Sequence, residues 1–136
     1  MRILMINKYA YVTGGADKQC LSLARLLREA GHEVAFLSVS SPENVETLGS
    51  FVTGRVRHET RDGLPAGERI RVLQSAIWNR EAARAMRSIV HEFRPDLVHA
   101  HKLYPQLSAS PIVSASRMHI PIVQTLHDYE FISASP

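Results

Sequence analysis

The chain has 136 residues, 45% of them hydrophobic and 21% charged, with a formal net charge of +3. That is the size and balance of one soluble globular domain, able to bury roughly two thirds of the surface its unfolded chain exposes. A low-complexity chain is excluded, and no run approaches the roughly 20 apolar residues of a membrane span. The mild positive charge permits attraction to phosphates or to an anionic membrane surface and requires neither. Cys20 is the only cysteine, which excludes an internal disulfide and suits a reducing compartment.

The opening "MRILMINKYAY" has too short an apolar run, and no cleavage site, for a signal peptide. "RILMIN" (2–7) reads as a buried strand. A helix from about Gly15 to Ala30 carries Ala16, Cys20, Leu23, Ala24 and Leu27 on one face, so the thiol reads as a packed core group rather than a nucleophile. Asp17 in the first turn and Arg25 and Arg28 late in the helix suit its dipole, and Gly31 is a natural stop. "HEVAFLSV" is a second strand ending near Val39. Residues 40–54 are weakly patterned, with a short helix expected from Pro42 and capped by Ser41. "RVRHET" (55–60) is expected as a third strand and "RDGLPAG" as a loop.

From Glu68 the pattern is helical again. Ile70, Leu73 and Ile77 share one face, and Trp78, Ala82, Ala85, Ile89 and Phe93 share another. The change of phase near Asn79 predicts two helices or a kink, with Asn79 capping the second segment and Pro95 ending it. "DLVHAH" (96–101) is a strand. A loop then leads to a helix with Ser108 or Ser110 as its cap and Pro111 in its first turn, and "IPIVQTL" (120–126) is the last strand.

Strands alternating with helices, and strands that are continuous apolar runs, predict an α/β fold with a parallel sheet covered on both faces. Ligands of such sheets sit beyond the C-terminal strand ends. Three polar groups fall there: Gly14 and Gly15 after the first strand, His99 and His101 on the fourth, and His127 with Asp128 after the fifth. The glycines either form a tight turn or let backbone amides at a helix start approach an anion. Each histidine is either a packed core residue or a ligand contact. G-x-G-x-x-G is absent and no acid ends the second strand, which disfavours NAD; G-x-x-x-x-G-K-[ST] is absent too. His99, His101, His127 and Asp128 have zinc-compatible chemistry, but no local spacing enforces the geometry, so no metal is expected. His32, His58, His91 and His119 read as surface residues. The basic residues are scattered along helices without interleaved aromatics, so no nucleic-acid role is expected.

The ordered set "GGAD", "PDLVHAH" and "TLHDY" resembles the N-terminal domain of family 4 glycosyltransferases, retaining enzymes of the GT-B fold, over nearly the whole chain. The resemblance implies a Rossmann-like three-layer sandwich of about five parallel strands in the order 3-2-1-4-5, forming the acceptor-side half of a GT-B fold. It implies transfer of a sugar from a UDP- or GDP-linked donor to a glycan, glycolipid or small-molecule acceptor, with no metal or other cofactor. Gly14 and Gly15 would then face the donor diphosphate, and His127 would orient the donor sugar as the catalytic histidine. Asp17, Lys18, His101, Lys102, Tyr104 and Gln106 would border the acceptor, with His99 and Asp128 as further candidates. The resemblance also implies that 1–136 is a single domain, incomplete at its C-terminus, with no donor-binding second domain. Transfer would then need a C-terminal domain or a partner chain. The expected location is cytoplasmic, with room for peripheral contact at the inner membrane surface. The alternative is a stand-alone, non-catalytic module docking a partner chain or membrane, marked by exposed apolar surface beside the fifth strand.

Overall fold

Two faces of one apolar strand organise the architecture. The computed structural model describes residues 1–45, 49–52, 67, 74, 76–104 and 106–127. In chain order the elements are β1 (Arg2–Ile6), α1 (Gly15–Glu29), β2 (Glu33–Val39), β3 (Gly49–Val52), α2 (Arg80–Phe93), β4 (Leu97–Ala100), α3 (Ser110–Arg117) and β5 (Ile122–Gln124). All strand pairs are parallel, and the sheet order is β3-β2-β1-β4-β5, as expected.

Successive side chains of a strand point to opposite faces, and β1 follows this rule closely. Ile3 and Met5 join Val34, Phe36 and the α1 residues Cys20 and Ala24 on one side. Leu4 and Ile6 join Leu37, Val98 and the α2 residues Met86, Ile89 and Phe93 on the other. Each large side chain so buried stabilises the fold by roughly 1.5–3 kcal/mol. Cys20 is fully buried, and burial, with the Asp17 charge adding to it, pushes its thiol pKa up to about 12, so it stays protonated and inert. No helix among the described residues is long and apolar enough to cross a membrane.

Two expectations are corrected. The third strand is Gly49–Val52, within the weakly patterned stretch, and it pairs with Phe36–Val39 of β2; residues 55–60 lie outside the described residues. A Cβ at Gly49 would stand 2.9 Å from the Phe36 carbonyl oxygen, so this edge strand needs glycine to approach its neighbour. At Pro42 the chain makes a turn instead of a helix: the Ser41 hydroxyl accepts from the Glu43 amide at 3.3 Å, and the Asn44 amide reaches the Ser41 carbonyl at 3.2 Å. The segment expected as a helix from Glu68 falls mostly outside the described residues.

Asn79 caps α2 as expected, and does more. Its side-chain oxygen accepts from the Ala82 amide at 2.9 Å, while its side-chain NH2 donates to the Gln106 carbonyl at 2.7 Å. Its own amide donates to Ser108 Oγ at 3.0 Å, and its carbonyl accepts from Ser110 Oγ at 2.7 Å. Ser108 sits at φ 58 and its hydroxyl also accepts from the Ser110 amide at 3.2 Å. One buried residue therefore ties the start of α2 to the loop that carries the chain from β4 into α3. Replacing Asn79 with Ala removes the cap and leaves a buried carbonyl without its donor, so unfolding free energy should fall by about 2–3 kcal/mol in urea titration.

Candidate functional site

After β1 the chain builds β2 and β3 on one side of the sheet, then crosses to build β4 and β5 on the other. The crevice expected at such a switch lies between the C-terminal ends of β1 and β4. Asn7 follows β1 directly and is fully buried. Its side-chain NH2 donates to the Tyr9 carbonyl and to Asp17 Oδ1, each at 2.8 Å, and its side-chain oxygen accepts from the Lys102 amide at 3.1 Å. Asp17 Oδ2 accepts from the Thr13 amide at 3.3 Å and from the Thr13 hydroxyl. Asn7 thus joins the end of β1, the first turn of α1 and the loop after β4. Sequence reasoning read Asn7 as the end of a strand and missed this role; a carboxamide closing the apolar run "RILMIN" was the available signal.

The glycines stand where that frame opens. Gly14 is the N-cap of α1, in extended backbone at φ −169, and no side chain caps the helix. Extended backbone suits any residue, and a Cβ at Gly14 or Gly15 would meet nothing within 4 Å. Neither turn strain nor internal packing therefore calls for glycine at these two positions. Together with Lys8, Tyr9, Thr13, Ala16, Asp17 and Lys102 they line a cavity of about 220 Å³. First-turn amides uncapped by any side chain, with Lys8 and Lys102 in the same lining and the Asp17 carboxylate engaged by Asn7 and Thr13, favour an anion there.

The second part of the site is a histidine cluster. His99 on β4 and His101 just after it have ring centroids 4.3 Å apart, and the His127 ring centroid is 5.2 Å from that of His101, with the planes 25° apart. His101 Nδ1 and His127 Nε2 share a hydrogen bond of 2.9 Å, and His99 Nε2 is 2.8 Å from the Thr125 hydroxyl. His101 is 2% exposed, whereas His99 and His127 are half-buried. Burial first, then the neighbouring His99 and His127, lowers the His101 pKa to about 4. Burial and His127 lower that of His99. Among the described residues no group of three or more His, Cys, Asp or Glu side chains is placed to hold a metal ion. The described ring contacts run from one histidine to the next and to Thr125.

The remaining candidates separate. Asp17 is buried with both oxygens engaged, so it holds the loop in shape, and a ligand contact would have to displace Asn7 or Thr13. Lys18 is exposed on α1, and Tyr104 is exposed after β4. Gln106 is buried, and its carbonyl anchors Asn79. Asp128 lies outside the described residues.

Strand order and a strand-end crevice of this kind define a Rossmann-like α/β domain. The family profile of Glycosyltransferase Family 4 matches residues 13–135, and the chain belongs to that family. A phosphatidyl-myo-inositol mannosyltransferase of Mycolicibacterium smegmatis is 49% identical over 43 residues, which are 31% of this chain and 11% of that protein. Among solved structures, the glycosyltransferase SnogD of Streptomyces nogalater matches with a TM-score of 0.58 at 23% identity, over 93% of this chain and 34% of its own. Acinetobacter baumannii MurG matches with a TM-score of 0.57 at 20% identity, over 92% of this chain and 34% of its own. VinC, a glycosyltransferase solved with DTDP, matches with a TM-score of 0.58 at 20% identity, over 93% of this chain and 34% of its own. The chain thus spans about a third of each of these solved structures. At these identities the structural likeness speaks for the fold.

Two outcomes are expected of this site. Replacing Asn7 with Leu strands the buried Asp17 carboxylate and the Lys102 amide, which should cost roughly 3 kcal/mol or more of stability, read as a lowered urea midpoint. Acid should destabilise the chain through His101. The folded state keeps this ring neutral down to about 4, whereas the unfolded chain protonates it below its ordinary 6.5. Between these values the unfolded state binds more protons, so stability falls as pH is lowered, by on the order of 3 kcal/mol across the window. The pH dependence of the urea midpoint should flatten in that window for His101→Asn.

Proposed function

We propose that this chain forms the acceptor-side half of a retaining glycosyltransferase, which moves a sugar from a nucleotide-sugar donor to a glycan, glycolipid or small-molecule acceptor. The observation that carries the reading is the cavity at Gly14 and Gly15, whose glycines the fold itself does not demand. As the bond between sugar and diphosphate breaks, negative charge gathers on the departing diphosphate. Amides fixed at a helix start stabilise that charge without reorganising. His127, at the crevice end of β5, orients the sugar. Lys102 borders the same cavity from the β4 side, where an acceptor would approach.

The VinC complex supports a nucleoside diphosphate as the donor fragment, since a protein of this fold holds one. The mannosyltransferase relative supports a lipid-linked polyol among the acceptors to be tried first. The alternative of a non-catalytic docking module draws on the edge beside β5, where Val123 and Leu126 are 48% and 59% exposed. Titrating the chain with UDP and GDP while following backbone amides separates the two. Concerted shifts of Gly14, Gly15 and His127 are expected for the transferase; shifts absent at millimolar nucleotide would overturn the donor-facing role of this cavity, the observation on which the reading rests.

Gly15→Pro offers a sharper test. Gly15 is the first residue of α1 and follows extended backbone, a position where proline suits a helix while removing one amide donor. Stability should change by less than about 0.5 kcal/mol, because no helical bond is lost and no side chain is crowded. In the enzyme containing this domain, kcat should drop by roughly 10²- to 10³-fold, the usual loss for one such donor.

A further inference from the structure

His101 is the most enclosed member of the histidine cluster, and its two ring nitrogens stand in unequal surroundings. Nδ1 is 2.9 Å from His127 Nε2. Nε2 is buried and has no hydrogen-bond partner among the described residues. A neutral imidazole carries one hydrogen, so one nitrogen donates and the other accepts. A hydrogen on the buried Nε2 would be an orphaned donor, which folded proteins almost never tolerate; a bare lone pair there is the lesser cost. The hydrogen therefore belongs on Nδ1, where His127 Nε2 accepts it. With its Nε2 accepting, neutral His127 carries its own hydrogen on Nδ1, the opposite of the tautomer favoured by a free imidazole side chain.

We propose that His101 is a positioning residue that locks His127 in the Nδ1–H tautomer, so that His127 meets its ligand only as a hydrogen-bond donor. The ligand atom facing it is then an acceptor, such as a sugar hydroxyl or ring oxygen. The pair is held as a one-way chain: His101 Nδ1–H to His127 Nε2, then His127 Nδ1–H to the ligand. Proton gain would break the chain, because His101 Nδ1–H and a doubly protonated His127 would both be donors. His99 on β4 and His127 from beyond β5 are the titratable groups whose charge acts on His101, and Lys8 and Lys102 stand at the neighbouring cavity. Burial, with His99 and His127, disfavours a positive charge on His101. The ring planes lie 25° apart with centroids 5.2 Å apart, close to the coplanar arrangement that an in-plane hydrogen bond requires.

The functional consequence, a fixed donor toward the sugar, rests on the transferase reading; the tautomer itself does not. The test is therefore made on the chain alone, without nucleotide or sugar. Long-range proton–nitrogen correlation spectra of the 15N-labelled protein at neutral pH distinguish the protonated from the bare nitrogen of each ring. The expected result is Nδ1–H with bare Nε2 for both His101 and His127. Nε2–H on His127 in the wild-type protein overturns the proposal, whatever any variant does. In His101→Leu, His127 should shift toward the Nε2–H form. In His101→Asn, whose side-chain amide can donate from nearly the place of Nδ1, it should keep Nδ1–H. An unchanged His127 in folded His101→Leu would also overturn the proposal. Failure of nucleotide to bind, with the expected tautomers seen, would count against the transferase reading alone.

Discussion

The structure depends most on the Asn7–Asp17 hydrogen bond. Asn7 is buried at the end of β1, and its three side-chain bonds reach the turn before α1, the first turn of α1 and the loop after β4. A carboxylate as buried as that of Asp17 is costly unless fully engaged, and Asn7 with Thr13 engages it. The arrangement is strongly directional. It leaves the α1 amides uncapped by any side chain, because the acidic side chain nearest to them is turned to Asn7 and Thr13. An anion-ready helix start and a satisfied buried carboxylate are thus two results of one constraint.

The second part of the site obeys the opposite electrostatic logic. The glycine cavity is lined by Lys8, Lys102 and the helix start, with the Asp17 carboxylate turned to Asn7 and Thr13, whereas burial and the neighbouring rings disfavour the charged forms of His99 and His101. A diphosphate and a neutral sugar differ in the same way. The two environments stand at neighbouring strand ends because β1, β4 and β5 are adjacent in the sheet, about 5 Å apart per step. Belonging to Glycosyltransferase Family 4 gives this pairing its chemical context.

Much of the fold was legible because it rests on local pattern. "RILMI" and "EVAFLSV" are apolar throughout since both sheet faces are covered, and Asn79 announced its helix by a capping residue at a change of phase. β3 was not legible. Only Val52 of its four residues is fully buried, Gly49 and Ser50 have little strand preference, and pairing with β2 makes it a strand. Pro42 misled in the same region: a serine before a proline signals a helix start and a turn equally, and nothing local decides between them.

The sequence by itself determined the α/β class, the strand order through family resemblance, and the strand-end placement of Gly14, Gly15, His99, His101 and His127. The class and the placements follow from periodicity or from position along a strand, which are properties of neighbouring residues. The tertiary structure decided what the polar side chains do. Asp17 and Gln106, expected to border an acceptor, are buried with their bonds in the frame, Asp17 while also lining the cavity, and Asn7, expected in a strand, holds the frame together. The pairing of His101 with His127 spans 26 residues and exists only because β5 lies beside β4. Hydrogen bonds between distant strands depend on register and burial, and neither is encoded in the local order of residue types.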